Sequence, residues 1–347
     1  MNLINCSIFL ENNHRFKEDP EYGSFLDRMR KGQTTSEDID LFVNSRFVDG
    51  TDVKVPVDGE ICYATANNKT RNAISSSIFR EHIMSTHPPV SDDNAEPPRH
   101  TLMIEACIMK SCGRHQKPIS PAVHEIIVSS LGDNNVQQIG STTKVDPVLR
   151  CYPNAHYMIT NNDNIDKGQG NGSLCRFVSV KLKTGATLTW KNWDGMKVNT
   201  VTADKVEWIK MEHWPESPPN TPRFFKLKMK KYNTVVKQMP IPGTMGVTVD
   251  VGKIIMYQFP INSNIATTGH KLQGMSKDLM VVTEWGTFPN WVYVVLSRVR
   301  TNLGLFIVNK LDPDRLHQFR VSKDLCDFEQ KMRSIEKCFI DAIHILK

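Results

Sequence analysis

The order of apolar and polar positions divides the chain into segments of different character. Over residues 1–148, strand-like runs alternate with helix-like ones. NCSIFL (5–10), GEICYATA (59–66) and TLMIEACIMK (101–110) read as strands. Asp19 followed by Pro20 predicts a helix start: the carboxylate accepts from unpaired backbone N–H groups, and proline fills a position whose missing donor costs nothing. Tyr22, Phe25, Leu26 and Met29 then recur at helical spacing, and Gly32 supplies a stop. GEICYATA leads through polar NNKTRN into a helix carrying Ile74, Ile78 and Phe79, which makes a strand-turn-helix unit. The segment at 85–99, STHPPVSDDNAEPPR, is too rich in proline and charge to pack and predicts a surface loop. PAVHEIIVSSLG predicts a helix ending at Gly132. Strands alternating with helices imply a parallel sheet covered by helices.

From 149 to 252 the helical spacing disappears. AHYMIT, RFVSVKL, ATLTW and KVEWIKM are short strand-like runs separated by Gly, Asn and Asp, a pattern that predicts a small β-barrel. The α/β character returns with KIIMYQF, LMVVTEW and LGLFIVN. The expected organisation is therefore one α/β domain, residues 1–148 and 253–311, interrupted by a β-rich insert at 149–252 and followed by a helical segment at 312–347. In that last segment Leu325, Phe328, Met332, Ile335 and Phe339 fall on one helical face, which is expected to pack back onto the sheet.

Composition narrows the function. The chain has 347 residues, enough for two domains or one domain with an insert. No apolar run approaches the roughly 20 residues that span a bilayer, so no membrane role is expected. The N-terminus lacks the basic opening and cleavage site of a secretory signal, and the 8 cysteines are irregularly spaced. Both features favour a reducing, intracellular compartment. Cys107, Cys112 and His115 lie close together but lack a fourth ligand at a recognisable spacing, so no metal site is expected. The net charge of +6 suits a polyanionic partner. Its densest expression is RFFKLKMKKY, residues 223–232, where cations interleave with aromatics. That stretch has the chemistry of a nucleic-acid groove and equally that of an edge strand with one solvated basic face.

Two motifs carry sharper chemistry. TTGHKLQGM (267–275) follows an apolar strand and offers backbone N–H groups, hydroxyls, an imidazole and a lysine, a set suited to phosphate oxygens. NWVYVVLSRVRT places Ser297 and Arg298 at the end of an apolar helix or strand, where an arginine is costly without an anionic partner.

Together, HKLQG and YVVLSRVRT resemble motifs V and VI of superfamily-one 5′-to-3′ DNA helicases of the Pif (petite integration frequency) type, relatives of the RecD helicase subunit. FLENNHRFKEDPEYGSFLDRMRKGQTTSEDID resembles that family's motif IV region, and CYATANNKTRNAI the strand and polar turn after it. LRCYPNAHYMITNNDNIDKGQGNG is similar to the entry into the family's SH3-like insert. The resemblance runs from near residue 7 to about residue 310. It implies a RecA-like domain of the P-loop NTPase type, the second of a motor pair, interrupted by a small SH3-like β-barrel. It implies ATP and Mg²⁺ as cofactors of a complete enzyme, with Arg15 and Arg298 on the γ-phosphate and Gln273, Gly274 and Ser297 at the same cleft. Thr267, Thr268, His270, Lys271 and Asn171 are implied as contacts to single-stranded DNA. Work in DNA repair, recombination or telomere maintenance, in the nucleus or a mitochondrion, follows from the resemblance alone.

One part of the pattern is missing. ATP hydrolysis needs a phosphate loop, Gly-x-x-x-x-Gly-Lys-Ser/Thr, and an apolar strand ending in Asp-Glu for the metal. The nearest stretch, GVTVDVGKI from Gly246, has one residue too many between its glycines and ends on Ile254 instead of a hydroxyl. The expectation is a chain that corresponds to such a helicase from motif IV onward: a fragment or incomplete gene product, a non-catalytic single-stranded DNA-binding remnant, or one half of a split enzyme whose N-terminal RecA-like domain acts in cis or in trans. A phosphate-binding or scaffolding protein outside the helicases is the remaining expectation.

Overall fold

A computed structural model describes residues 14–48, 61–86, 100–112, 115–132, 145–236, 239–240, 248–249, 252–287, 290–311 and 322–345. The strand expected at 5–10 and most of the loop expected at 85–99 lie outside the described residues. The chain forms two compact units, one from residues 1–66 with 269–347 and the other from residues 67–268.

The first unit is a helix-covered parallel sheet, as strand-helix alternation predicts. Ile61–Thr65 pairs in parallel with Leu279–Val282, Ile61 beside Leu279, and Leu279–Val282 pairs in parallel with Leu305–Ile307. Cys62, Ala64, Met280, Val282, Leu305 and Ile307 bury one continuous face. Helix Pro20–Arg30 closes over it. The Asp19 carboxylate accepts from the Tyr22 N–H at 3.0 Å, Pro20 opens the helix, and Gly32 lies at φ 68° beyond its end. Tyr22, Phe25, Leu26 and Met29 are its buried face. Helix Ser36–Phe42 begins with a reciprocal cap in which Thr35 and Asp38 each bond the other's backbone N–H. Arg28 holds Asp38 from the neighbouring helix, Nε to Oδ2 3.0 Å.

The C-terminal helix, Lys323–Ile345, meets the expected period but not the expected burial. Met332 is buried and Glu329 pairs with Arg30 at 3.2 Å, whereas Leu325 and Phe328 remain 47 % and 50 % exposed. Periodicity fixes which side chains share a stripe; it does not supply an element opposite the whole stripe.

The second unit holds most of the strands. Val148–Cys151, Leu102–Glu105, Met196–Thr202 and Thr189–Trp193 form a mixed sheet in that order. Phe224–Leu227, Val206–His213, Leu174–Leu182, His156–Ile159 and Ile261–Ser263 form an antiparallel one. Leu102, Ile104 and Leu149 of the first sheet share a core with Phe177, Ile209, Met211 and Ile261 of the second. A third sheet joins Lys230–Val236, Gly252–Gln258, Cys107–Cys112 and His115–Pro118. The strands of 149–252 therefore complete their sheets with partners from 102–118 and 252–263, which a linear reading of the insert does not anticipate. Helix Asn68–Thr86 contributes Arg71, which forms a largely buried ion pair with Asp146.

Cys112 pairs with His115 across a hairpin, and Cys107 begins the same strand. Among the described residues, no group of three or more His, Cys, Asp or Glu side chains is placed to hold a metal ion. Likewise, among the described residues no helix is long and apolar enough to cross a membrane.

Candidate functional site

The site in the first unit is built around the end of one short helix. Trp291–Leu296 buries Trp291, Val292, Val295 and Leu296 against the parallel sheet, so its C-terminal cap, Ser297, is fixed by the packing of the helix that precedes it. Ser297 is itself buried at 3 % exposure. Two arginines from distant parts of the sequence converge on it. Arg15 Nη1 donates to the Ser297 carbonyl at 3.1 Å, and Arg298 Nη2 donates to the Ser297 hydroxyl at 2.7 Å. Arg298 is held a second time, Nε donating to the Val294 carbonyl at 2.8 Å.

Each arginine has a scaffold behind it. Arg15 lies in the short helix His14–Phe16, whose Phe16 is buried edge-on against Tyr22 with ring centroids 5.8 Å apart. Tyr22 then donates its hydroxyl to the Leu296 carbonyl at 2.7 Å, joining the first helix to the end of the Ser297 helix. Burial raises the Tyr22 pKa far above its usual value, with Asp19 adding to the effect, so this hydroxyl remains a donor at any physiological pH.

The arginine pair is electrostatically unfavourable as it stands. Desolvation, followed by repulsion from Arg15, lowers the Arg298 pKa below the ordinary arginine value. No carboxylate forms an ion pair with either guanidinium among the described residues. Two neighbouring cations, one half-buried, and both fixed by carbonyl and hydroxyl acceptors, make a site that favours an anion between or beside them.

The turn predicted at HKLQG comes to the same unit. Gly269–Leu272 is a single 3₁₀ turn anchored by Leu272, which is fully buried. It packs on the helix through Trp291: a Cβ at Gly269 would lie 2.4 Å from the indole Nε1. The chain leaving the turn then clasps the arginine segment, the Lys277 N–H donating to the Arg298 carbonyl at 2.8 Å and the Arg300 N–H to the Lys277 carbonyl at 3.1 Å. Gln273 and Gly274 stand exposed on the turn, Gly274 at φ 83°, a conformation that suits glycine. Neither bonds to Arg15 or Arg298 among the described residues. Lys271 is half-buried, and the His270 side chain lies outside the described residues.

The other expected contacts belong to the second unit. Thr268 is half-buried at the end of Ala266–Thr268; Thr267 is only 2 % exposed, which closes its hydroxyl off from a strand of DNA. Asn171 is exposed in a tight turn, its N–H donating to Asn162 Oδ1 at 2.7 Å.

Sequence reasoning singles out Arg15, Ser297 and Arg298, which the fold brings together, but not the residues that hold them. Tyr22 reads as one more core position of an amphipathic helix, and Lys277 has no distinguishing pattern. Trp291 and Gly269 carry a signal only as a pair, a large ring facing a residue without a side chain, and that pairing is tertiary.

No family model matches the sequence, and no curated protein matches it. Solved structures do match the fold. A Pif1 helicase from Bacteroides, in complex with ADP-AlF3 and ssDNA, is 19% identical over 94% of this chain and 57% of its own, with a TM-score of 0.53. A Pif1 helicase from Candida albicans is 17% identical over 93% of this chain and 60% of its own, with a TM-score of 0.54. A structure of two coordinating Pif1 helicases at forked dsDNA is 18% identical over 93% of this chain and 54% of its own, with a TM-score of 0.51. The chain thus shares the mixed α/β fold of Pif1-type helicases and spans little more than half the length of these structures.

Proposed function

We propose that this chain is the C-terminal half of an ATP-dependent 5′-to-3′ DNA helicase, supplying arginines to an ATP cleft and a contact surface for single-stranded DNA. The observation that carries the reading is the convergence of Arg15 and Arg298 on Ser297, two fixed cations with no carboxylate ion-paired to them among the described residues. In this reading the first unit is the second RecA-like domain of a motor pair. The two sheets that share one core in the second unit support an SH3-like insert. Thr268, His270, Lys271 and Asn171 contact the DNA backbone, while Gln273 and Gly274 link nucleotide state to that contact.

The residues present fit one side of the nucleotide. Arg15 and Arg298 match the charge of a γ-phosphate, and the sequence contains no phosphate loop for the remaining phosphates. Among the described residues there is also no carboxylate cluster for Mg²⁺. ATP, when bound, supplies the phosphoryl group whose transfer drives movement. The part of this chain is to orient that group and to oppose the negative charge that grows on it. Lys277 and Tyr22 keep the arginine segment in register, so little reorganisation is left to the reacting complex. The phosphate-loop domain comes from an N-terminal RecA-like partner in cis or in trans, and the chain by itself does not turn over ATP.

The test is reconstitution. ATP turnover stimulated by single-stranded DNA should appear when an N-terminal RecA-like domain of a Pif-type helicase is added or fused. In that pair Arg298→Ala should lower kcat by about 10³-fold or more, the usual scale for such an arginine. Equal turnover with and without Arg298 would remove the assignment. The missing phosphate loop also supports a second reading, a non-catalytic single-stranded DNA-binding or scaffolding protein; salt-sensitive DNA binding with no turnover in any pairing would favour it.

A further inference from the structure

The second unit carries a surface that the ATP-cleft reading does not use. Strand Phe224–Leu227 is an edge of the antiparallel sheet and alternates strictly, Phe225 and Leu227 buried, Phe224 and Lys226 exposed. Its register sets Lys226 directly opposite Lys210, and the next pairing sets Trp208 opposite Lys181. Opposed residues of paired strands project to the same face, so these side chains form one outer patch.

Within that patch each ring is bracketed by two cations. Lys226 Nζ lies 4.4 Å and Lys181 Nζ 5.9 Å from the Trp208 ring centre. Lys210 Nζ lies 4.4 Å and Arg223 Cζ 5.4 Å from the Phe224 ring centre. Among the described residues, the acids paired with cations of this patch are Glu207, 3.1 Å from Lys181, and buried Glu212, 2.5 Å from Arg223 and 3.7 Å from Arg176. Lys210, Lys226 and the exposed Lys228 have no carboxylate partner among the described residues. Two lysines directly opposite one another across a strand pair destabilise the sheet, and among the described residues no carboxylate is ion-paired to either.

We infer that this outer face binds single-stranded nucleic acid, the lysines taking backbone phosphates and the Trp208 and Phe224 rings taking base faces. The lysine stems are flexible, so their ammonium groups can leave the rings as bases arrive. Where a base displaces one lysine from a ring, the exchange is favourable in magnitude: an exposed cation–π contact is worth a factor of about 2 to 5 in an equilibrium constant, and a stacked base about 5 or more. A duplex hides its base faces and cannot use the rings in this way. The inference does not depend on the ATP-cleft assignment and can stand or fall without it.

The experiment uses the full chain and a fluorescently labelled oligothymidylate, its uridine counterpart and a duplex, with binding read by anisotropy across a salt series. The triple variant Lys210→Gln, Lys226→Gln, Lys228→Gln should lower the slope of log K against log salt by about 2, at about 0.7 for each phosphate left without its lysine. Trp208→Ala should weaken single-strand binding about 5-fold or more with little change in slope, and Trp208→Phe should restore most of it. Equal weakening of both single strands assigns the face to single-stranded nucleic acid in general; weakening for only one sugar type assigns it to that one. Lys117→Gln, on the exposed strand His115–Pro118 of the third sheet, should leave all these values unchanged, which ties the losses to this face. If the folded triple variant kept the parent slope and Trp208→Ala the parent affinity, the lysines would be edge protection and the inference would be wrong. Equal dependence on Trp208 for the duplex would overturn it as well.

Discussion

Replacing Gly269 with alanine tests whether the turn and the arginine-bearing helix are one packed body. The new Cβ would sit 2.4 Å from Trp291 Nε1, 2.7 Å from Cε2 and 3.0 Å from Cδ1. The ring cannot retreat freely, because Gly286 also closes on the indole: a Cβ there would lie 2.6 Å from Cδ1 and 2.8 Å from Cγ. Trp291 is 3 % exposed and packs edge-on to Trp285, with centroids 5.8 Å apart. Overpacking a filled site of this kind costs about 1–3 kcal/mol. With a urea m-value of about 2 kcal/mol/M, that is a midpoint shift of roughly 0.5–1.5 M. The diagnostic measurement is a double-mutant cycle with Trp291→Leu, which removes Nε1 and Cε2 while leaving an apolar side chain in place. Trp291→Leu alone should destabilise by opening a cavity. The double variant should be more stable than the sum of the two by about 0.5–3 kcal/mol, the usual coupling of residues that touch. Strict additivity, or a Gly269→Ala midpoint equal to the parent's, would refute the close approach and with it the mechanical link from turn to Arg298.

Two further outcomes are expected. Asp146 is the only carboxylate ion-paired to Arg71 among the described residues, and Arg150, whose pKa burial lowers while Asp146 opposes that shift, lies in the same field. Asp146→Asn should therefore cost about 3–5 kcal/mol in urea unfolding, the scale for breaking a buried pair from one side. The Arg28 guanidinium, bonded to Asp38, holds that carboxyl below its ordinary value, so the pair contributes stability above about pH 4 and loses it as pH falls through the lowered folded-state value. Urea midpoints measured between pH 6 and 2.5 should fall less steeply for Asp38→Asn than for the parent; parallel curves would exclude the linkage.

Much of the first unit is legible locally. Asp19, Pro20 and Gly32 bound their helix because capping and backbone preference act within a few residues, and the apolar spacing from Tyr22 to Met29 identifies its buried face. The strands Ile61–Thr65, Leu279–Val282 and Leu305–Ile307 each stand out as short apolar runs. The same local logic stops short in the second unit. Nothing in residues 149–252 specifies that Met196–Thr202 pairs in parallel with Leu102–Glu105, nearly a hundred residues away, because strand partners are chosen by global packing. It also stops at the last helix, whose stripe is periodic as expected and only partly covered.

For the candidate site, the order of residues alone establishes the chemistry on offer: Arg15 after a polar stretch, Ser297 and Arg298 at the end of an apolar run, and no phosphate loop beside them. Those are statements about residue types in order, and they survive any arrangement in space. Folding is what brings Arg15 and Arg298, 283 positions apart by subtraction of their numbers, to one serine. Folding likewise buries Thr267 and lets Lys277 clasp the arginine segment. Hydrogen bonds, steric fit and desolvation act over a few ångströms of space, while the sequence records only neighbours along the chain.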